Sequence, residues 1–417
     1  MRMPGVTTVV LGGGVGGLVA ANELRQLLPS PHRVVLIEKN LQHAFAPSFL
    51  WVMAGGRRPE QVVRDLRTLS SPGVEVLQAE VIGIDPGAQR VETTQQSLRY
   101  DYLVIALGAE YAPGTISGLE PEAHTFYTWN GSAALSGALR TFPDAGGTVA
   151  VVVAALPYKC PGAPHEGAML IADYLRRRGL SGKVRVDLYT PEPQPMPVAG
   201  PALGEAVQQM LQRRGVAFHP GHKLAAVDGA ARELHFEGGA RARFDLLVAI
   251  PPHRSPRVVR DAGLTSESGW IPVDRATLRT RFESVYAIGD VTAIAIPGRW
   301  KPDVPLMLPK AGVFAHAQGL AAARRIAAEV TRASGRAEFD GGGYCMLEAG
   351  EAMAGFAFGN FFATPAPQVH LRRMGRVWHW GKVLLERWWL TPPGPRREAL
   401  RLAITLGSRS LGIPIVA

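Results

Sequence analysis

Residues 12–17 read Gly-Gly-Gly-Val-Gly-Gly, and few six-residue stretches constrain a fold so tightly. They follow directly on Thr7-Thr8-Val9-Val10-Leu11, a short β-branched apolar run, and lead into a helical stretch from Leu18 to Leu28. In a strand, loop and helix of this kind Gly12 permits the tight turn, Gly14 lets the backbone approach a pyrophosphate, and Gly17 allows the helix to pack closely on the strand. A second strand, Arg33-Val34-Val35-Leu36-Ile37, ends in Glu38, at the spacing where an acid accepts hydrogen bonds from an adenosine ribose. A lone glycine pattern is weak evidence. Strand, loop, helix, strand and acid in succession favour a dinucleotide cradle over a bare glycine-rich turn.

Two further segments bear on which dinucleotide is bound. Tyr102-Leu103-Val104-Ile105-Ala106-Leu107-Gly108-Ala109 reads as a strand ending in small residues, and Ser284-Val285-Tyr286-Ala287-Ile288-Gly289-Asp290 as another ending in Gly-Asp. Each is bland alone, and their order along the chain is the specific part: it resembles that of the two-dinucleotide-fold flavoproteins, and the resemblance implies FAD as the dinucleotide. Asp290 is placed on the ribityl chain, with Ala106, Gly108 and Gly289 beside it and Lys39, Pro47 and Val81 in the same cofactor site. A third buried strand, Gly147-Thr148-Val149-Ala150-Val151-Val152-Val153, should lead into a second phosphate loop. The chain instead runs Pro157-Tyr158-Lys159-Cys160-Pro161-Gly162-Ala163-Pro164-His165-Glu166. A thiol flanked by prolines offers a pyrophosphate no open backbone N–H groups, so this turn suits sulfur better than NAD(P)H.

The 417 residues suit two or three domains with substantial cores. With 47% hydrophobic and 19% charged residues, and 47 Gly and 33 Pro, much of the chain reads as turns between buried strands. No apolar run approaches the ~20 residues of a spanning helix, and the first strand begins too early for a signal peptide. A cytoplasmic location is therefore the expectation. Two cysteines in so long a chain make no disulfide scaffold, and inert buried thiols would satisfy the count. Their contexts argue otherwise: Cys160 sits in the turn above, and Cys345 in Gly341-Gly342-Gly343-Tyr344-Cys345-Met346, both suited to close approach to a planar cofactor. The net charge of +10 fits an anionic surface; no recognised nucleic-acid module accompanies it, and no metal site is expected.

Across nearly its whole length the sequence resembles the sulfide:quinone oxidoreductase and flavocytochrome c sulfide dehydrogenase family. The matching pieces are Phe45-Ala46-Pro47-Ser48-Phe49-Leu50-Trp51-Val52, Tyr158-Lys159-Cys160-Pro161 with Pro164 and Glu166, Leu308 to His316, Tyr344-Cys345, and the tail Trp380 to Leu390. The resemblance implies that Cys160 and Cys345 lie on one face of the flavin, joined by a disulfide or a polysulfur bridge. It implies that Glu166 is an acid near the sulfur site and that Lys310 reaches the pyrimidine end of the ring. It places Tyr344, Lys382 and Phe358 at a quinone pocket on the opposite face. Three departures stand out. Tyr127-Thr128-Trp129 occupies the region where many members hold a third cysteine, no cysteine lies near Phe45 to bind FAD covalently, and Leu385 replaces an aromatic expected near the tail lysine.

These readings imply a chemistry. Hydrosulfide attacks a Cys160–Cys345 disulfide to give a persulfide and a thiolate, two electrons pass to non-covalently bound FAD, and a membrane quinone takes them up. Glu166 handles the proton, unless it is a solvated surface carboxylate. The tail from Val369 to Leu390 interleaves His370, Arg372, Arg373, Arg376, Lys382 and Arg387 with Trp378, Trp380, Trp388 and Trp389, the composition of a membrane interface. A packed core helix with basic edges is the alternative.

The expected architecture is α/β with two Rossmann-like dinucleotide-binding domains, of the FAD/NAD(P)-binding, disulfide-reductase-like kind, and a C-terminal membrane-facing region. The FAD-binding domain takes residues 1–111 and 263–334, and the second domain 112–262. Residues 335–417 carry Cys345, the quinone pocket and a membrane-docking tail. The chain is expected on the cytoplasmic side of the bilayer as a peripheral protein, with homo-oligomerisation left open. Competing readings are a sulfide dehydrogenase subunit that reduces a cytochrome, a type II NADH:quinone dehydrogenase and a flavin-carrying redox sensor.

Overall fold

The computed structural model describes residues 5–334, 337–413 and 415; residues 335, 336, 414, 416 and 417 of the expected C-terminal region, and 1–4 of the N-terminal one, lie outside them. The main elements in chain order begin with β1 (Thr7–Leu11), α1 (Val15–Leu27), β2 (Arg33–Glu38), β3 (Val74–Gln78) and β4 (Tyr102–Ile105). Next come β5 (Gly147–Val153), α2 (Ala163–Arg177), β6 (Val184–Tyr189), β7 (Val216–His219), β8 (Leu246–Ile250) and β9 (Val285–Ala287). The long helix α3 (Gly312–Thr331) precedes the strands β10 (Gly342–Glu348), β11 (Ala354–Asn360) and β12 (Gln368–Gly375), and the helices α4 (Arg376–Trp389) and α5 (Pro395–Leu411) close the chain.

Two parallel sheets carry the ligand-facing ends. The first has the order β9-β4-β1-β2-β3, so a strand from far downstream completes the sheet begun at the N-terminus. Leu11 pairs with Ile37 on one side and Ile105 on the other, while Ala287 pairs with Ile105, which brings the carboxyl ends of four strands level. The second sheet, β7-β6-β5-β8, aligns Val152 with Tyr189 and Val153 with Ile250. Residues 149–153 are all buried, Val149, Val151 and Val153 among helix residues such as Met169 and Leu211, and Ala150 and Val152 against the strand residues Leu224, Leu234 and Phe236 on the other face. In open parallel sheets ligands bind beyond the carboxyl ends of the strands, and here that rule sends both sheets' loops toward one region.

The strand expected over Ser284–Asp290 is shorter, because the chain leaves the sheet after Ala287 and winds into a 3-10 turn at Gly289–Val291. Behind both sheets an antiparallel sheet, β10-β11-β12, sets Tyr344 opposite Phe358 and Cys345 opposite Ala357. Neighbours on a strand face opposite ways, so Tyr344 and Cys345 address different sides of β10.

The tail departs from expectation. Trp388 and Trp389, read as residues at headgroup level, are only 5% and 3% exposed and belong to the core around α1 and α3. Trp380 of the same helix is 60% exposed. Nine residues at about 100° each put Trp389 on the opposite side of α4 from Trp380, so the helix buries Trp378, Trp388 and Trp389 and presents Trp380. Val377 of α4 and Leu402, Leu406 and Leu411 of α5 are also exposed. Among the described residues no helix is long and apolar enough to cross a membrane.

Candidate active site

Of the residues expected at the site, all but Gly17 line one cavity of about 1790 Å³, larger than a single drug-sized ligand needs. Gly17 acts in packing: a β-carbon there would run into the carbonyl oxygen of Gly12, so α1 could not close onto β1. Gly12 has φ +94°, the turn that only glycine adopts freely. A β-carbon at Gly14 would meet nothing within 4 Å, which leaves a bare backbone cradle at the N-terminus of α1. Glu38 Oε2 accepts from Gly13 N–H at 2.7 Å and Oε1 from Asn40 N–H at 2.9 Å, fixing the acid at the mouth of that cradle.

Further along the cavity, Gly289 donates its N–H to Gln318 Oε1 at 2.6 Å, and Asp290 Oδ1 is buried with no partner among the described residues. An unpaired buried carboxylate oxygen calls for a hydroxyl donor, which a ribityl chain supplies. Bare cradle, acid and unpaired acceptor thus fit FAD. Lys310 lines the cavity, but its ammonium donates to the carbonyls of Asp290 and Thr292, both at 2.8 Å, and lies 3.5 Å from the centre of the Trp270 ring. Burial lowers its pKa to about 8.

Cys160 takes φ +56°, the left-handed region that few side-chain-bearing residues occupy. The surrounding structure fixes this conformation. Its N–H donates to Lys310 O at 2.6 Å, its carbonyl accepts from Ala163 N–H at 2.9 Å, and the Tyr127 hydroxyl donates to the preceding Lys159 carbonyl at 2.9 Å. Tyr127 therefore braces the cysteine turn. Cys345 comes against the same turn, its sulfur 3.3 Å from where a β-carbon of Gly162 would lie. The two thiols are unbridged, and what surface they show faces the cavity.

Glu166, in the first turn of α2, is buried and not a solvated surface group. Its Oε2 accepts from Lys382 Nζ at 2.6 Å and from Glu348 N–H at 2.9 Å. Lys382 was expected with Tyr344 and Phe358, across the flavin from the thiols. It lines the same cavity as both and pairs with Glu166, a buried ammonium needing a carboxylate. Burial raises the Cys160 thiol to about 12, with Glu166 adding to the rise and Lys382 opposing it. Burial also pushes Cys345 well up, again with Glu166 adding to it. Glu166 is raised above the usual carboxylate range by burial, against the pull of Lys382. Burial disfavours the Lys382 charge, but Glu166 and Glu348 outweigh it and hold the ammonium above the ordinary lysine value.

Sequence reasoning missed several partners. Glu192 lies in the proline-rich loop after β6, lines the cavity, and accepts from the Tyr158 hydroxyl at 2.7 Å, while burial raises it to about 7. An acid just beyond the second sheet's strand was the available signal, since that is where a nucleotide ribose is held in such a fold. Here Tyr158 from the cysteine turn occupies it. His43 bridges the first loop to the tail: Trp389 Nε1 donates to its Nε2 at 2.8 Å, leaving the proton on Nδ1 to donate to Gly13 O at 2.9 Å. Glu348 and His379, joined at 2.9 Å, complete the buried polar cluster.

An FAD cradle in one parallel sheet, facing a cysteine turn in a second, defines a flavin-dependent oxidoreductase of the two-dinucleotide-fold class. Residues 6–319 match the model of the pyridine nucleotide-disulphide oxidoreductases, and the chain belongs to that family. The chain is 26% identical over 395 residues to a sulfide-quinone reductase of Aquifex aeolicus, covering 92% of this chain and 90% of that protein. It is 27% identical to the mitochondrial sulfide:quinone oxidoreductase of Dictyostelium discoideum, covering 70% of this chain and 66% of that one. The X-ray structure of the Aquifex aeolicus sulfide:quinone oxidoreductase superposes with a TM-score of 0.84 at 25% identity, over 97% of this chain and 94% of that one.

Proposed function

We propose that this enzyme oxidises hydrosulfide at Cys160 and Cys345 and delivers two electrons through FAD to a membrane quinone. The observation that carries the reading is the Cys345 sulfur packed on the left-handed Cys160 turn, at the point where a nicotinamide-dependent relative would need a phosphate loop. Tyr158 and Glu192 closing on each other in the second sheet's crevice count further against NAD(P)H.

In the oxidised enzyme the two cysteines form a disulfide. Hydrosulfide attack makes one S–S bond and breaks another, leaving a persulfide on one cysteine and a thiolate on its partner. FAD, when bound, supplies the two-electron link between this sulfur chemistry and the quinone. Glu166, raised above the usual carboxylate range by burial, takes the proton of the persulfide S–H as that sulfur leaves, and Lys382 steadies the resulting charges. The balance is HS⁻ + Q + H⁺ → S⁰ + QH₂, the sulfur leaving as polysulfide or a longer sulfur species. Tyr344 and Phe358, facing away from Cys345, are assigned to the quinone side.

The same reading divides the chain into an FAD-binding part, 1–111 and 263–334, a second part, 112–262, and the remainder, a division supported by the entry of β9 into the first sheet. Peripheral membrane docking is assigned to the exposed apolar residues of α4 and α5 with the arginines among them. Anaerobic titration of the flavin spectrum tests the function: sulfide should bleach it and NADH should leave it oxidised. Bleaching by NADH and not by sulfide would overturn the proposal.

A further inference from the structure

Among the described residues, the lysines and arginines that line the cavity are Lys39, Lys159, Arg257, Lys310 and Lys382. Four of them are committed. Lys39 pairs with Glu80 at 3.4 Å and Arg257 with Asp261 at 3.1 Å, both pairs exposed to solvent. Lys382 is held by Glu166 at 2.6 Å, and Lys310 gives its ammonium to the carbonyls of Asp290 and Thr292. Lys159, the residue before Cys160, has no ion-pair partner among the described residues, and its ammonium lies 4.9 Å from the centre of the Tyr111 ring. A ring attracts a cation but carries no net charge, so the ammonium stays available to an anion.

The backbone of Lys159 is fixed by a parallel β-bridge to Lys310 and by the Tyr127 hydroxyl on its carbonyl at 2.9 Å. Burial opposes its charge, but the Tyr111 side chain, Asp290 and the Cys160 sulfur outweigh burial and hold the ammonium above the ordinary lysine value. The ammonium is thus within electrostatic reach of the thiol. His253, edge-on to Tyr111 at 5.0 Å, adds no charge, because burial and the nearby Lys159 and Lys310 lower it to about 4. Lys159 and Lys310 together face one acid, Asp290. An uncompensated buried charge costs several kcal/mol, so this corner of the cavity is completed by one monovalent anion.

We propose that Lys159 is the docking cation for hydrosulfide and holds the anion beside Cys160 before the sulfur–sulfur bridge is attacked. The proposal rests on the sulfide-oxidising reading above and adds substrate binding to it. Hydrosulfide gives up its hydration on entering the cavity, and a cation beside its target offsets that loss. A compact charge on a flexible four-carbon stem can turn to such an anion without moving the backbone. Docking breaks no bond and moves no electron. It raises the occupancy of the anion next to the bridge and leaves the rate of attack from the bound state nearly as it is.

The test compares FAD-loaded wild type with Lys159→Met, which keeps the length of the stem and drops the charge. Flavin reduction is followed by anaerobic rapid mixing over a range of sulfide concentrations at constant ionic strength. The half-saturating sulfide concentration should rise roughly ten- to a hundredfold, the loss of one charge-assisted contact, while the limiting rate stays within about threefold. The flavin midpoint potential, measured beside a reference dye, should not move. Thiocyanate, a monovalent sulfur anion that donates no electrons here, should perturb the flavin spectrum of wild type and compete with sulfide, and should do neither in the variant. An unchanged half-saturation, or thiocyanate acting equally on both forms, would overturn the docking role. A fall confined to the limiting rate and the midpoint potential would overturn it too, since Lys159 would then act on the flavin. If Lys159→Met loses its FAD, Lys159→Gln is put through the same measurements with the same expected outcomes. Wild type that sulfide cannot reduce overturns the functional reading, and the thiocyanate titration then decides the anion site by itself: binding to wild type and not to the variant upholds it.

Discussion

Cys160 combines a reactive atom with a backbone conformation that costs of order 1–3 kcal/mol, and three hydrogen bonds, two of them from elsewhere in the fold, hold it there. The FAD cradle is built from other residues, so Cys160→Ser and Cys345→Ser should each keep FAD at wild-type stoichiometry. Flavin reduction by sulfide should fall by about 10³-fold or more, because neither thiol alone can form the bridge. Near-normal bleaching rates in either variant would remove these residues from the mechanism. With no third cysteine in the chain, acid precipitation should release the flavin into the supernatant; yellow pellets would contradict a non-covalent cofactor. Glu192 makes a prediction about pH. Its folded value, about 7, lies above its ordinary 4.5, so the folded state binds the extra proton between those values. The stabilisation is therefore complete below about pH 4.5 and is lost as pH rises through about 7, by at most roughly 3 kcal/mol. Glu192→Gln should flatten denaturation midpoints over that window, and an unchanged slope would show that the buried carboxyl is not the source. The thiols were legible because the sequence holds only two and each has an unusual neighbourhood. Glu192, Glu348 and His379 were not, since their roles come from partners 34, 182 and 31 residues away in the chain.

At the scale of elements, β1, α1 and β2 follow from local periodicity and a glycine loop, so the first cradle could be read almost residue by residue. The buried strand at Gly147–Val153 was equally plain. The helix α4 was harder, because its tryptophans and arginines suit both a membrane surface and a core edge, and composition alone cannot say which side turns inward. Tertiary pairing decides it. Glu386 accepts from Ser48 Oγ at 2.6 Å and from Arg57 at 2.9–3.2 Å, and Trp389 reaches the phosphate loop through His43. These links make α4 a strap over the FAD cradle. Removing the carboxylate in Glu386→Ala leaves Arg57 and Ser48 unpaired and should destabilise the enzyme by roughly 2–3 kcal/mol, less than for a fully buried pair because Arg57 is partly solvated. FAD should also dissociate more readily. Chemical denaturation followed by flavin release checks both, and an unchanged midpoint would show that the strap adds nothing.

For the molecule as a whole, the fold brings both cysteines, Tyr344 and Phe358 to one cavity, and several exposed apolar residues lie on the two C-terminal helices. Trp380, Val377, Leu402, Leu406 and Leu411 are exposed there, and α5 carries the exposed Arg396, Arg401 and Arg409 among them. An aromatic ring at headgroup level with arginines beside it binds anionic lipid without insertion of a spanning segment. The buried Trp388 and Trp389 take no part, so replacing them would disturb the core and reveal nothing about docking. Exchanging Trp380, Leu402 and Leu406 together for Ser should leave FAD content and sulfide reduction of the flavin intact, since none of them lines the cavity. The triple variant should bind anionic liposomes more weakly and turn over long-tailed quinones several-fold more slowly than wild type, with short soluble quinones little affected. Salt should release the wild type only in part, because exposed charges are screened over ~8–10 Å while apolar contacts persist. Removing the apolar residues should therefore make binding fully salt-sensitive. If the triple variant still sediments with liposomes at high salt, or loses activity equally with long and short quinones, these helices do not form the docking surface, and an electron acceptor in solution becomes the better reading.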